Sequence, residues 1–175
     1  MPFVCRFYGH HAVGIDVADA FYEGLAACLG VQRTVVRVEA QTPLPDLGGR
    51  FDLITACDIA FNEKREGKTR GLYWSREDWQ FFLNDLVAHQ LRTPGTIYLK
   101  LNKEARGRVL GIDRRAYSRD ALALAARNGA AVSRWRGTIR LGVTEPREIR
   151  LSLSGEDVFT GFQSCSSPPN GGRGI

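Results

Sequence analysis

Asp16 ends a short run of apolar and small residues, Ala12-Val13-Gly14-Ile15. A carboxylate at the end of a strand can accept hydrogen bonds from both hydroxyls of a ribose. Asp is equally suited to capping the next helix, and residue type alone weighs the two roles evenly. A second polar group follows in Val38-Glu39-Ala40-Gln41. A polar side chain there could reach an adenine amino group while an apolar neighbour packs on the ring. A plain turn before Pro43 explains the same residues more simply. The third group is FDLITACDIAFN, residues 51–62. If its first half is a strand, Thr55 to Asp58 lie at the carboxyl edge, where open α/β sheets hold ligands. Asp52, at the strand start, reads as structural. Asp58 and Asn62 reach such a site when the loop turns back over the sheet.

Other candidates carry less. His10 and His11 are adjacent, so their side chains diverge and suit neither a metal pair nor a dyad. His89 falls late in a helix, where the dipole favours a cation, and no nucleophile accompanies it. Trp74 and Trp79 fall around a helix start and could line an acceptor pocket, though core packing is the heavier reading. Tyr98 and Lys100 share one side of a strand, which more often marks a half-exposed face than a catalytic pair.

The elements that must position these residues can be read from pattern. Residues 2–9 are expected to be the end of a buried helix closed by Gly9. The run 12–16 is the first strand. Val17, Ala20, Phe21, Leu25 and Cys28 have helical spacing, with Gly30 as the cap. Thr34–Val38 is β-branched and reads as a strand. QTPLPDLGG is loop, and Phe51–Ala56 a short strand. Residues 62–71 are polar and expected to be an exposed loop. Ser75 and Asp78 suggest a capping box, opening a helix that runs to about Leu91 and is stopped by Pro94 and Gly95. Thr96–Leu101 is a strand. Ser118 and Asp120 open an Ala/Leu-rich helix ending at Asn128 and Gly129. Late strands are expected near Ala131–Trp135 and Ile149–Leu153. The alternation argues for an α/β fold. It should be a mostly parallel sheet, helices on both faces, with an antiparallel edge from the late pair. Residues 1–155 form one domain, and 156–175 a flexible Ser/Pro/Gly tail.

Composition narrows the function classes. The chain has 175 residues, of which 43% are hydrophobic, enough for a core. No run approaches the roughly 18 apolar residues of a membrane span. No signal-peptide pattern is present, so a cytoplasmic location is expected. Cys5, Cys28, Cys57 and Cys165 form no CxxC pair, which disfavours structural zinc and a disulfide framework and fits reduced thiols. The net charge of +5 raises a nucleic-acid surface as one reading. The basic residues are scattered along the chain, so a general Arg bias is the heavier reading.

Taken together, GID, VEAQTPLPDLGGRFDLITA, a Trp-rich helix and RTPGTIYLKLN resemble the class I S-adenosylmethionine-dependent methyltransferases. The resemblance covers about residues 1–153 and rests on order and spacing more than on any one motif. It implies a Rossmann-like sheet with S-adenosyl-L-methionine across the strand ends. Asp16, with Val17, would meet the ribose. Glu39, Ala40 and Gln41 would flank adenine, and Ala56 and Cys57 would line the cofactor. Asp58, Asn62 and Trp74 would face the acceptor. CDIAFN, without an Asn-Pro-Pro-Tyr-like motif, points to the small-molecule branch, with no metal.

One departure stands out. The family's first strand and Gly-rich turn lie upstream of residues 2–9 and have no counterpart in this sequence. That strand sits mid-sheet, between the second and fourth, so the sheet is expected to split or its flanking strands to pair directly. Two functional readings follow. One is methyl transfer by proximity without a dedicated acid or base. The other is a non-catalytic interaction module that kept the fold. A dehydrogenase-like nucleotide-binding domain is a weaker third.

Overall fold

A computed structural model describes residues 2–59, 61–63, 72–109 and 112–151. The element order is α1 (Pro2–Phe7), β1 (Gly14–Asp16), α2 (Ala20–Cys28), β2 (Arg33–Val35), β3 (Phe51–Ile59), β4 (Asn62–Glu63), β5 (Leu72–Tyr73), α3 (Arg76–Asp85), β6 (Leu91–Leu101), β7 (Glu104–Val109), β8 (Ile112–Ala116), α4 (Arg119–Arg127), β9 (Ala131–Ser133) and β10 (Thr138–Val143). A π-helical turn over Leu86–Gln90 carries α3 into β6. The fold is α/β, with both parallel and antiparallel strand pairs.

The core rests on a four-stranded sheet in the order β3-β6-β10-β9. β6 runs parallel to β3 and antiparallel to β10. Period-two alternation puts Ile97, Leu99 and Leu101 of β6 on one face beside Ile139, Leu141 and Val143 of β10, all buried. Trp79, Phe82 and Leu83 of α3 and Ala121, Leu124 and Ala125 of α4 close over that face. Both helices have side-chain caps, from the Ser75–Asp78 capping box and from Ser118. Gly95 is required at the start of the paired stretch of β6, because a Cβ there would lie 2.3 Å from the Arg92 carbonyl oxygen.

The sheet differs from the expected one in three ways. Antiparallel pairing is more prominent than a mostly parallel sheet implies, because β9 and β10 form a hairpin. The helices packed on this sheet lie on one face rather than both. On the other face Leu53, Thr55, Cys57, Lys100 and Arg140 are exposed and Tyr98 is half-buried. Finally, β1 and β2 form a separate two-stranded parallel sheet, and no ladder joins β1 to β3. Of the two arrangements expected, a split sheet and direct pairing of the flanking strands, the described strands take the split one.

The split leaves much apolar surface in water. No residue of α1 or α2 is buried, so the expectation of a buried helix at residues 2–9 fails although the helix forms. A helix buries its stripe only against another layer, and none covers this one. Phe7, Tyr8 and Phe21 are more than 70% exposed, and Leu53 on the free edge of β3 is 57% exposed. The unit still touches the core. The His11 ring stacks on Phe51 with centroids 6.1 Å apart, and Val38, Ala40 and Leu44 pack against the core cluster.

The end of the chain also differs from expectation. Among the described residues the last strand is β10; Ile149, Arg150 and Leu151 of the expected Ile149–Leu153 strand are not in a strand, and residues 152–153 lie outside the described residues. Ile149 is fully buried, but side chains of α3 take its backbone groups. Its N–H donates to Asn84 Oδ1 at 2.6 Å, and its carbonyl accepts from Gln80 Nε2 at 2.8 Å and Asn84 Nδ2 at 3.2 Å. Those bonds replace a strand partner. An antiparallel hairpin, β7–β8, occupies the basic stretch before α4. Residues 64–71 of the expected loop, and the tail 156–175, lie outside the described residues.

Truncating a side chain on the covered face should cost far more than the same change on the open edge. Leu99→Ala should lose about 2–5 kcal/mol of stability, and Leu53→Ala about 0.5 kcal/mol or less. Denaturant unfolding of both variants checks this, and equal losses would contradict the one-sided core.

Candidate functional site

Asp16 stands at the carboxyl end of β1, paired with Val35 of β2. The capping alternative goes elsewhere, because Asp19 is the N-cap of α2 and accepts from Phe21 N. Asp16 is half-buried. Its Oδ1 accepts from the Val17 N–H at 2.8 Å, and its carbonyl accepts from Val36 N at 2.8 Å. Its second carboxylate oxygen takes no hydrogen bond from the described residues. The Arg33 guanidinium donates to the Val17 carbonyl and lies 3.9 Å from Glu23. The exposed end of β1 is therefore held by a cation from β2, and its carboxylate is left partly free.

The segment after β2 lies at the same end of this small sheet. Glu39 is exposed, 3.7 Å from the exposed Arg37. Ala40 packs on the core. Gln41 adopts φ +55°, uncommon for a residue with a Cβ, and its Nε2 donates to Asp78 Oδ1 at 2.8 Å. Gln41 thus ties the loop to the capping box of α3. Further along, Leu44 N–H donates to Asp85 Oδ2 at 3.0 Å, and Gln90 Nε2 donates to the Pro45 carbonyl at 3.1 Å. These bonds fix the chain as it enters β3.

The other residues sort by face. Ala56 is buried among the helix-facing side chains, whereas Cys57 is exposed on the opposite face. Asp58 belongs to the backbone of β3, and Asn62 pairs with Tyr73; the side chains of both lie outside the described residues. Trp74 is 4% exposed within a cluster of aromatic rings, 5.0 Å from Phe61, 5.2 Å from Trp79 and 5.4 Å from Phe82 between centroids. The structure brings Asp16 and Val17 beside the segment following β2, and it sets Ala56 and Trp74 in the core. Among the described residues no three His, Cys, Asp or Glu are placed to hold a metal ion. An open recess of about 470 Å³ lies between Arg6, His11, Ala12 and Gln32. It sits at the amino ends of β1 and β2, away from Asp16.

Sequence reasoning missed the Gln41–Asp78 bond, which links residues far apart in the chain. Only the Ser75-x-x-Asp78 half of that network has a local signature. No protein-family model, curated protein or solved structure matches the chain. No described helix is long and apolar enough to cross a membrane.

The network has a pH signature. Partial burial alone would raise the Asp78 carboxyl, but hydrogen bonds from the Gln41 amide and from the Ser75 N–H and hydroxyl hold it below its ordinary 3.8. A lowered carboxyl adds stability that is present above its unfolded value and lost as pH falls through its folded value. The stability gap between the unaltered chain and Asp78→Asn should therefore shrink on acidification below about 3.8. Ser75→Ala should cost about 1 kcal/mol at neutral pH. Urea unfolding across the acid range checks both, and a gap independent of pH would remove the carboxylate from the cap.

Proposed function

We propose that this chain carries the ribose-binding part of a class I S-adenosylmethionine-dependent methyl-transfer site acting on a small-molecule acceptor. The observation that carries the reading is Asp16. It is an acid at the carboxyl end of a parallel strand, relieved of helix capping, with one carboxylate oxygen open to a hydroxyl. The parallel pairs β1–β2 and β3–β6 support a Rossmann-like reading, standing for the family's second and third strands and its fourth and fifth.

The residues fit the cofactor in part. Asp16 suits a ribose. Glu39 and Ala40 would flank adenine, while Gln41, already bonded to Asp78, positions their loop. Cys57 offers an exposed small side chain near the end of β3, with Asp58 and Asn62 following toward the acceptor. Trp74 supports that region from inside the core. Bound S-adenosylmethionine would supply an electrophilic methyl group on its sulfonium. The protein's share would be to hold the ribose and align the acceptor, since orientation can supply much of the rate.

A non-catalytic interaction module is the second reading, favoured by the free edge of β3 and the exposed apolar residues of α1 and α2. Calorimetric titration with S-adenosylhomocysteine separates the two. Under the first reading the chain binds the product cofactor at micromolar affinity. Asp16→Ala then weakens binding by about tenfold or more, with an unchanged unfolding midpoint. No heat from a folded chain, or equal affinity in the variant, would turn the assignment to the second reading.

A further inference from the structure

We infer that the tip of the β9–β10 hairpin and the open sheet face beside it form a binding surface for single-stranded nucleic acid. The cations concerned are Lys100, Lys103, Arg134, Arg136 and Arg140, dispersed over 41 positions of sequence. Strand pairing gathers them. Lys100 lies opposite Thr138, and Arg140 opposite Tyr98, on the face away from the core. Arg134 and Arg136 flank Trp135 at the hairpin tip; both are exposed, and among the described residues neither guanidinium has an ion-pair or hydrogen-bond partner. Neither 95–103 nor 130–143 contains an acidic residue. Arg134, Arg136 and Arg140 thus have no acidic residue beside them in the strands that carry them.

Trp135 gives the patch its specific character. It is 91% exposed, whereas Trp74 and Trp79 are buried. An exposed indole flanked in sequence by two arginines is a stacking platform for an unpaired base. The tip that carries it is braced. Leu101 N–H donates to the Gly137 carbonyl at 2.9 Å, and Arg136 N–H donates to Ser133 Oγ at 3.3 Å. Gly137, at φ +64°, lies against the Tyr117 ring so closely that a Cβ would meet it at 2.3 Å. Lys103 Nζ sits 5.5 Å from the centroid of that same ring.

Three features favour a single strand over other anions. Phosphates would meet the cations. The base faces would be free to stack on Trp135, as they are not in a duplex. The tip offers too little further apolar area for insertion into a lipid surface, since Trp135 is surrounded by Arg, Ser, Gly and Thr.

The test is fluorescence anisotropy with a fluorescein-labelled oligouridylate of about 12 nucleotides, with an oligothymidylate, a duplex of equal length and phosphatidylserine vesicles in parallel. The full chain should bind the single strands in about 50 mM salt and weaken steeply as salt rises. Trp135→Ala, at an exposed tip, should weaken binding by about tenfold. Replacing Arg134 and Arg136 together by Ala should flatten the salt dependence by about 0.7 in log–log slope per lost phosphate contact. Trp135 should also become protected from a soluble quencher when the oligonucleotide binds. Absence of binding by the folded chain would overturn the inference. So would unchanged affinity in Trp135→Ala, equal affinity for the duplex, or binding to the vesicles alone.

Discussion

β6 is the constraint on which the rest of this molecule depends. It is paired on both sides, parallel to β3 and antiparallel to β10, and Leu91, Ile97 and Leu99 reach no solvent at all. Burying a Leu or Ile side chain contributes about 1.5–3 kcal/mol, so these residues and their β10 neighbours supply a concentrated source of stability. α3 and α4 are held where they can cover that face. The exit from α3 is also shaped by it, because the π turn over Leu86–Gln90 delivers the chain into β6 with Leu86, Val87 and Gln90 buried. Asn84 and Gln80 then capture Ile149, so the chain beyond β10 is fastened to the same layer.

The β1–β2 unit rests on a different footing. No residue of its helices is fully buried; it reaches β3 through the His11–Phe51 stack and the core through the segment from Val38 to Leu44. The acid with the clearest potential role, Asp16, therefore stands on the part of the structure with the least packing behind it. Local stability follows buried contacts, and a binding constellation is only as precise as the shell that supports it. Gln41, Asp78 and Asp85 matter for this reason. They bridge from the loop after β2 to α3, which belongs to the well-packed layer.

What could be read from sequence was what local chemistry encodes. The Ser75–Asp78 box, the strand ending at Asp16, the helix bearing Trp79 and the beginning of β9 all have signatures within a few residues. The split of the sheet was one of two arrangements that the family resemblance implied, beside direct pairing of the flanking strands, and no local signature chose between them. What escaped depends on distant partners. Ile149–Leu151 looks like a strand because it alternates, yet α3 side chains answer its hydrogen bonds before any strand does. The hairpin β7–β8 lies in a charged stretch with no apolar alternation to announce it. Whether Asp16 caps a helix depends on where α2 begins, and Asp19 decides that. Ala56 differs from Cys57 only in which face of β3 it occupies, and a shift of one residue reverses a strand's faces.

The two faces of the four-stranded sheet follow from one alternation. Burying Ile139 and Leu141 obliges Arg140 to point the other way, and burying Leu99 does the same for Tyr98 and Lys100. A sheet covered on one side can remain in water only if its second side is polar, and the middle of this one is. Thr96, Tyr98, Lys100, Thr138 and Arg140 form a hydroxyl-rich and cationic surface suited to anionic groups. The exception lies at the margin. Leu53 on β3 and Ile15 and Val35 on the small sheet stay exposed, and apolar surface in water costs about 25 cal/mol per Å². A long strand with an unpaired apolar edge invites a further strand. The same sheet thus presents two unlike surfaces, a charged centre that water tolerates and an apolar edge that it does not, and only the second gains stability from being covered.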